Sequence, residues 1–177
     1  MKKFVIASLL SVSMVSLAVA ADLPVVKSDE TIVPVTFSGF YAGIGSGLNW
    51  TNHNSASASG SIFTGYSFRT GDVYFGPEIS FDYLNRNGLN YKGNINGKLG
   101  YALTDDLAVY GLAGYSIGRF NIDGNHFKSG YNVGAGVEKY LTENISAKVE
   151  YNFARFPSFD SDNHAVNFGL SYHFDSV

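Results

Sequence analysis

The chain has 177 residues with 15% charged and 15% aromatic side chains, 20 Gly and a formal net charge of -3. An apolar fraction of 45% excludes a disordered chain, and a pI of about 5.7 excludes a basic nucleic-acid binder. Cysteine is absent, which removes disulfides, thiolate metal sites, a cysteine nucleophile and cysteine lipidation.

Residues 1–20 have the layout of a secretory signal peptide: Lys2 and Lys3, an apolar run from Phe4 to Leu17, then the small site Ala18-Val19-Ala20. Ser8, Ser11, Ser13 and Ser16 interrupt that run. It also falls short of the roughly 20 apolar residues a spanning helix needs, so cleavage before Ala21 is expected. Residues 21–36, with Pro24, Pro34, Lys27, Asp29 and Glu30, read as a flexible periplasmic leader. The remainder, 37–177, is expected to form one domain.

That domain alternates. From Gly39 to Trp50 one parity reads Phe40, Ala42, Ile44, Ser46, Leu48, Trp50; the other reads Gly39, Tyr41, Gly43, Gly45, Gly47, Asn49. Period two means a strand with one apolar and one small or polar face. The pattern recurs over Ile62 to Phe68, Val73 to Tyr83, Ile95 to Leu103, Leu107 to Ile117, Tyr131 to Val137, Ile145 to Phe153 and Val166 to Phe174. Eight strands of about ten residues match tilted β-strands that cross a bilayer. Pro77 cannot donate to a ladder and predicts a local bulge.

The polar parity carries Arg69, Glu78, Asp82, Lys98, Glu138, Lys148, Glu150 and His173 among Gly, Ser and Asn, whereas Arg119, Lys139 and Arg155 on the apolar parity lie near segment ends. A secreted β-sandwich would alternate too. The aromatic content, the charges on the Gly-rich face and the signal peptide favour the inverse: an all-β, eight-stranded antiparallel up-and-down transmembrane β-barrel in the cell outer membrane. Connections fit. Short turns at 70–72, 104–106 and 142–144 alternate with longer links at about 51–61, 85–93, 118–129 and 156–164. Short turns are periplasmic and long links external in such barrels. Phe40, Phe68, Tyr101 and Phe174 on the turn side, and Trp50, Tyr83 and Tyr115 on the link side, are candidate aromatic girdles.

The piece Phe37-Ser38-Gly39-Phe40-Tyr41-Ala42-Gly43 resembles the opening strand of a family of small alphaproteobacterial outer-membrane β-barrel proteins that includes hemin-binding and opacity-like surface proteins. Lys98-Leu99-Gly100-Tyr101-Ala102 and Val109-Tyr110-Gly111-Leu112-Ala113-Gly114 are similar to its middle hairpin, Gly130 to Phe153 to its sixth and seventh strands, and Val166 to Phe174 to its last. The resemblance implies outer-membrane lipid as surroundings and insertion by the barrel-assembly machinery through an aromatic C-terminal signal, although here Asp175-Ser176-Val177 follow Phe174.

An eight-stranded barrel is just wide enough for its own side chains. Arg69, Lys98 and Lys148 facing Glu78, Asp82, Glu138 and Glu150 therefore read as a closed ionic core, with a narrow porin-like path as the alternative. His53, His126 and His164 fall in or beside three external links. Their plain reading is solvated side chains; the resemblance adds hemin as the cofactor they would hold, since imidazole ligates heme iron. Asp123, Asp160 and Asp162 lack the further ligands of a cation loop. His164 with Ser158 or Ser161 is the candidate for a lipid-modifying enzyme, but no triad motif surrounds it, so no enzyme activity is expected. The expected role is that of a surface protein, structural or in contact with host molecules through loops rich in Asn, Ser, Tyr and Gly. No nucleic-acid partner is expected.

Overall fold

The computed structural model describes residues 37–51, 54–84, 89–121, 125–157 and 161–174. The expected signal peptide, the leader and the residues after Phe174 lie outside them. Eight strands follow one another: β1 Gly39–Thr51, β2 Asn54–Thr70, β3 Val73–Leu84, β4 Leu89–Ala102, β5 Leu107–Asn121, β6 Asn125–Tyr140, β7 Ile145–Phe156 and β8 Ser161–His173. Each pairs antiparallel with its sequence neighbours, and β8 closes onto β1, giving a closed up-and-down barrel as the alternation predicts. Closure leaves no free edge, which is how strands satisfy their backbone groups in lipid.

The two parities separate as expected. Ile44, Leu48, Phe75, Ile79, Phe81, Ile95, Leu99, Val133, Val149, Phe168 and Leu170 point outward and are exposed, while Glu78, Asp82, Lys98, Glu138, Lys148, Glu150 and Asn152 point inward and are buried. In water this would be an inverted protein; in lipid it is the arrangement that removes apolar surface from water.

Three expectations are corrected. The links at 51–61, 85–93, 118–129 and 156–164 are in large part strand: β2 begins at Asn54, β4 at Leu89, β6 at Asn125 and β8 at Ser161, and β5 runs to Asn121. In these stretches the backbone ladder continues on Ala, Gly, Ser and Asn, whose weak outward hydrophobicity hides the period. Pro77 makes no bulge. The β2–β3 register is the same on either side of it, from Gly65 opposite Glu78 to Phe68 opposite Phe75. The ladder is interrupted there instead, and Gly76 approaches β2 so closely that a Cβ would collide with the Tyr66 carbonyl. Arg69 stands at the turn-side mouth rather than among the buried charges, its Nε donating to the Gly71 carbonyl at 2.7 Å.

Two of the tight turns share one construction. Leu103 and Thr104 donate their amides to the Leu107 carbonyl at 2.8 and 3.1 Å, and Leu141 and Thr142 donate theirs to Ile145 at 2.7 and 3.2 Å. The Thr104 and Thr142 hydroxyls accept from the amides three residues on, both at 3.1 Å. The third turn uses Gly71 at φ 60, a left-handed conformation that Gly adopts without steric cost.

Candidate functional site

The interior is layered along the barrel axis. At the turn side Phe37 lies across the opening, its ring 5.4 Å from Tyr74 and 4.8 Å from Tyr140. Tyr74 fits because Gly100 beneath it has no Cβ; a methyl there would collide with the ring. Above this layer Lys98 Nζ donates to Glu138 Oε2 at 2.8 Å and sits 4.0 Å from the centre of the Tyr110 ring. The Ser146 hydroxyl donates to the other oxygen of Glu138 at 2.7 Å, and His173 Nε2 lies 2.9 Å from that hydroxyl.

The middle layer centres on Lys148. Its Nζ donates to Glu78 at 3.0 Å, lies 3.9 Å from Glu150, and caps the Phe63 ring at 3.7 Å. Tyr41 donates its hydroxyl to Glu78 and Tyr110 to Glu150, both at 2.9 Å. Further out, Lys92 is 3.4 Å from Asp82, Asn94 donates to Asp82 at 3.0 Å, and Ser116 donates to Asn94 at 2.6 Å. Buried Leu84, Ala154 and Phe156 cluster beyond them at the external end. A cavity of about 30 Å³ remains between Asp82, Lys92, Asn96, Glu150 and Asn152, room for about one or two waters.

The interior thus holds Lys92, Lys98 and Lys148 against Glu78, Asp82, Glu138 and Glu150, all buried. A buried charge is tolerable only when paired and hydrogen-bonded, and each of these has a partner of opposite sign. Lys92 and the three hydroxyl-bearing rings Tyr41, Tyr74 and Tyr110 were not legible as site residues. Lys92 sits where turn-forming Asn and Gly suggest a link. Yet Leu89, Tyr91, Gly93, Ile95 against Asn90, Lys92, Asn94, Asn96 keeps the two-residue period, and extending the count would have found it.

The histidines do not share one setting. His53 lies outside the described residues. His126 is in β6, opposite Phe120 of β5, and His164 is in β8, opposite Trp50 of β1 and Phe153 of β7. The His164 ring faces outward, parallel to Trp50 at 5.9 Å and 9°, and its Nδ1 is 2.7 Å from the Tyr151 hydroxyl. Trp50, Tyr151, Phe153 and His164 thus form one stretch of the external girdle, and Tyr83 with Tyr91, 5.3 Å apart, another. At the turn side Phe40 and Phe174 pack at 5.3 Å and Phe68 and Phe75 at 5.7 Å. Asp162 also belongs to β8, with Arg155 Nε 3.7 Å away, whereas Asp123, Asp160 and Ser158 are outside the described residues.

With the closed barrel, its two girdles and its ionic interior in place, comparison with known proteins is decisive. The profile of the family described as Outer membrane protein beta-barrel domain matches residues 7–174. The chain belongs to that family. Among its relatives, the 22 kDa outer membrane protein of Rhizobium leguminosarum bv. viciae is 30% identical over 159 residues, covering 80% of this chain and 75% of its own. The 25 kDa outer-membrane immunogenic protein of Brucella ovis is 28% identical over 200 aligned positions, with 98% of each chain covered. This outer membrane barrel also superposes on the crystal structure of Neisserial surface protein A with a TM-score of 0.58, at 18% identity, over 77% of this chain and 98% of that one, a likeness of fold. The protein is therefore an outer-membrane β-barrel of the alphaproteobacterial surface-protein family, embedded in outer-membrane lipid.

Proposed function

We propose that this barrel is a closed, non-enzymatic surface protein whose role is structural or interactive and is exerted at its external end and outer face. The observation that carries the reading is the interior: three lysines are paired with four carboxylates, the cavity beside Asp82 and Lys92 is about 30 Å³, and Phe37 lies across the turn-side opening. A narrow channel would have to break these pairs, since moving an ion past them desolvates charges that now satisfy one another. The test is conductance of the refolded protein in planar bilayers. Inserted, heat-modifiable barrel should give no steady conductance steps, and Lys148→Ala should introduce them; steady steps from the unaltered protein would establish the channel instead.

The interior speaks against an enzyme as well. Ser146, His173 and Glu138 are a hydroxyl, an imidazole and a carboxylate in mutual reach, but all are buried in the interior. The Ser146 hydroxyl donates to Glu138, and the three groups are shut inside the barrel, away from any substrate in the outer leaflet. Hemin as a ligand of His53, His126 and His164 is a second proposal, supported by an imidazole on the outer surface at His164 with aromatic rings on either side. A hemin titration read by its Soret band should weaken in His164→Ala; superimposable curves would remove His164 from the ligand set.

A further inference from the structure

Two arginines stand on the outward parity near the external edge, and their surroundings differ. Arg155 on β7 has Asp162 3.7 Å away. Arg119 on β5 has no carboxylate within ion-pair reach among the described residues; its guanidinium carbon lies 6.0 Å from the Tyr91 ring and 6.0 Å from the Phe127 ring. Those rings belong to the residues directly opposite it on β4 and β6, so the cation is bracketed on both sides by register, not by chance rotamers.

Depth follows from the strand. Outward residues of β5 run Val109, Gly111, Ala113, Tyr115, Ile117, Arg119, and Val109 pairs with Tyr101 in the turn-side girdle. Ten residues at about 3.4 Å each, tilted about 40°, rise about 26 Å, against an apolar band about 25 Å tall. Arg119 is thereby at the headgroup level of the outer leaflet. On the outward row of β4 below it, Gly93 and Gly97 carry no side chain, a Cβ at Gly93 meeting nothing within 4 Å and one at Gly97 only the Ala113 carbonyl at 3.9 Å, with exposed Ile95 between them and Ile117 opposite Gly93. From Arg119 down to Ala113 is six residues, about 15 Å along the membrane normal, the depth of one leaflet.

A guanidinium held between two rings keeps its planar fork of N–H groups free at the edge, and that fork matches the oxygens of a phosphate. We propose that Arg119, flanked by Tyr91 and Phe127, binds a phosphate of an outer-leaflet glycolipid whose acyl chains lie against the outward face of β4 and β5. The residue fixes one lipid molecule to the β4–β6 side of the barrel.

The probe is bisphosphorylated lipid A in phosphatidylcholine nanodiscs, with retained lipid counted by native mass spectrometry after transfer to detergent. The unaltered barrel should retain it, and Arg119→Gln should retain about tenfold less, as loss of a charge-assisted hydrogen-bonded pair implies. Arg155→Gln should leave retention unchanged, and chemically dephosphorylated lipid A should be lost from the unaltered barrel. The gel shift between folded and heated protein confirms that each variant is folded. Equal retention by folded Arg119→Gln, or equal retention of the dephosphorylated lipid, overturns the proposal.

Discussion

Lys98 is buried in the barrel interior. It lies beneath the rings of Tyr41, Tyr74 and Tyr110, 5.2, 5.6 and 4.0 Å from their centres, and among the described residues its direct ion-pair contact is Glu138. Removing one member of such a pair strands the other charge, a loss of about 3–5 kcal/mol. Lys98→Met should therefore lower the urea midpoint of the detergent-folded barrel, followed through its single tryptophan, Trp50. Adding Glu138→Gln should recover a large part of that loss, because the amide keeps an acceptor for Ser146 and removes the unpaired charge. An unchanged midpoint in Lys98→Met would mean that the pair does not hold the interior. The identities of these residues were readable from alternation. Their pairing was not, since Lys98 meets Glu138 and Lys148 meets Glu78 only once strand register is fixed, and register does not follow from one parity.

Strands and turns were legible to different degrees. Where outward residues are large, as in Val73 to Tyr83 or Ile145 to Phe153, the sequence places the strand on its observed face. Where they shrink to Ala56, Ala58 and Gly60, or where Asn and Gly crowd the stretch before Tyr91, turn-forming composition outweighs the period and the strand is read as a link. Tyr91 and Phe127, the two rings around Arg119, were lost to site reasoning for that reason. The tight turns were placed correctly, and their chemistry yields a prediction. Asp106, exposed in the turn after β4, has its carboxyl held below the usual carboxylate range, chiefly by the Thr104 hydroxyl at 2.6 Å and then by the Lys139 ammonium at 3.5 Å. Because the folded value is the lower one, this contact stabilises the turn above the ordinary carboxylate range and is lost as pH falls through the folded value. Thr104→Val should move the Asp106 titration, read from its carboxyl carbon by NMR, upward toward the ordinary range. A titration that stays in place would assign the effect to Lys139 alone.

For the molecule as a whole, the low charge content and high aromatic and glycine content have one explanation. The 45% apolar residues serve in large part as the lipid-facing surface, and the few charges are spent on a paired interior, the turns and the external edge. That inversion also explains why a chain lacking any apolar helix long enough to cross a membrane, among the described residues, is nevertheless a membrane protein. The most direct test is contact between lipid chains and methyl groups in a nanodisc, with the protein deuterated apart from its Ala, Val and Leu methyls. Cross-peaks from acyl methylenes should reach Ala113, Val133, Ala135, Val137, Val149 and Leu170, and should be missing for Ala108, Leu112, Ala154 and Ala165, which face the interior. Acyl cross-peaks to the second group with none to the first would contradict the inverted barrel.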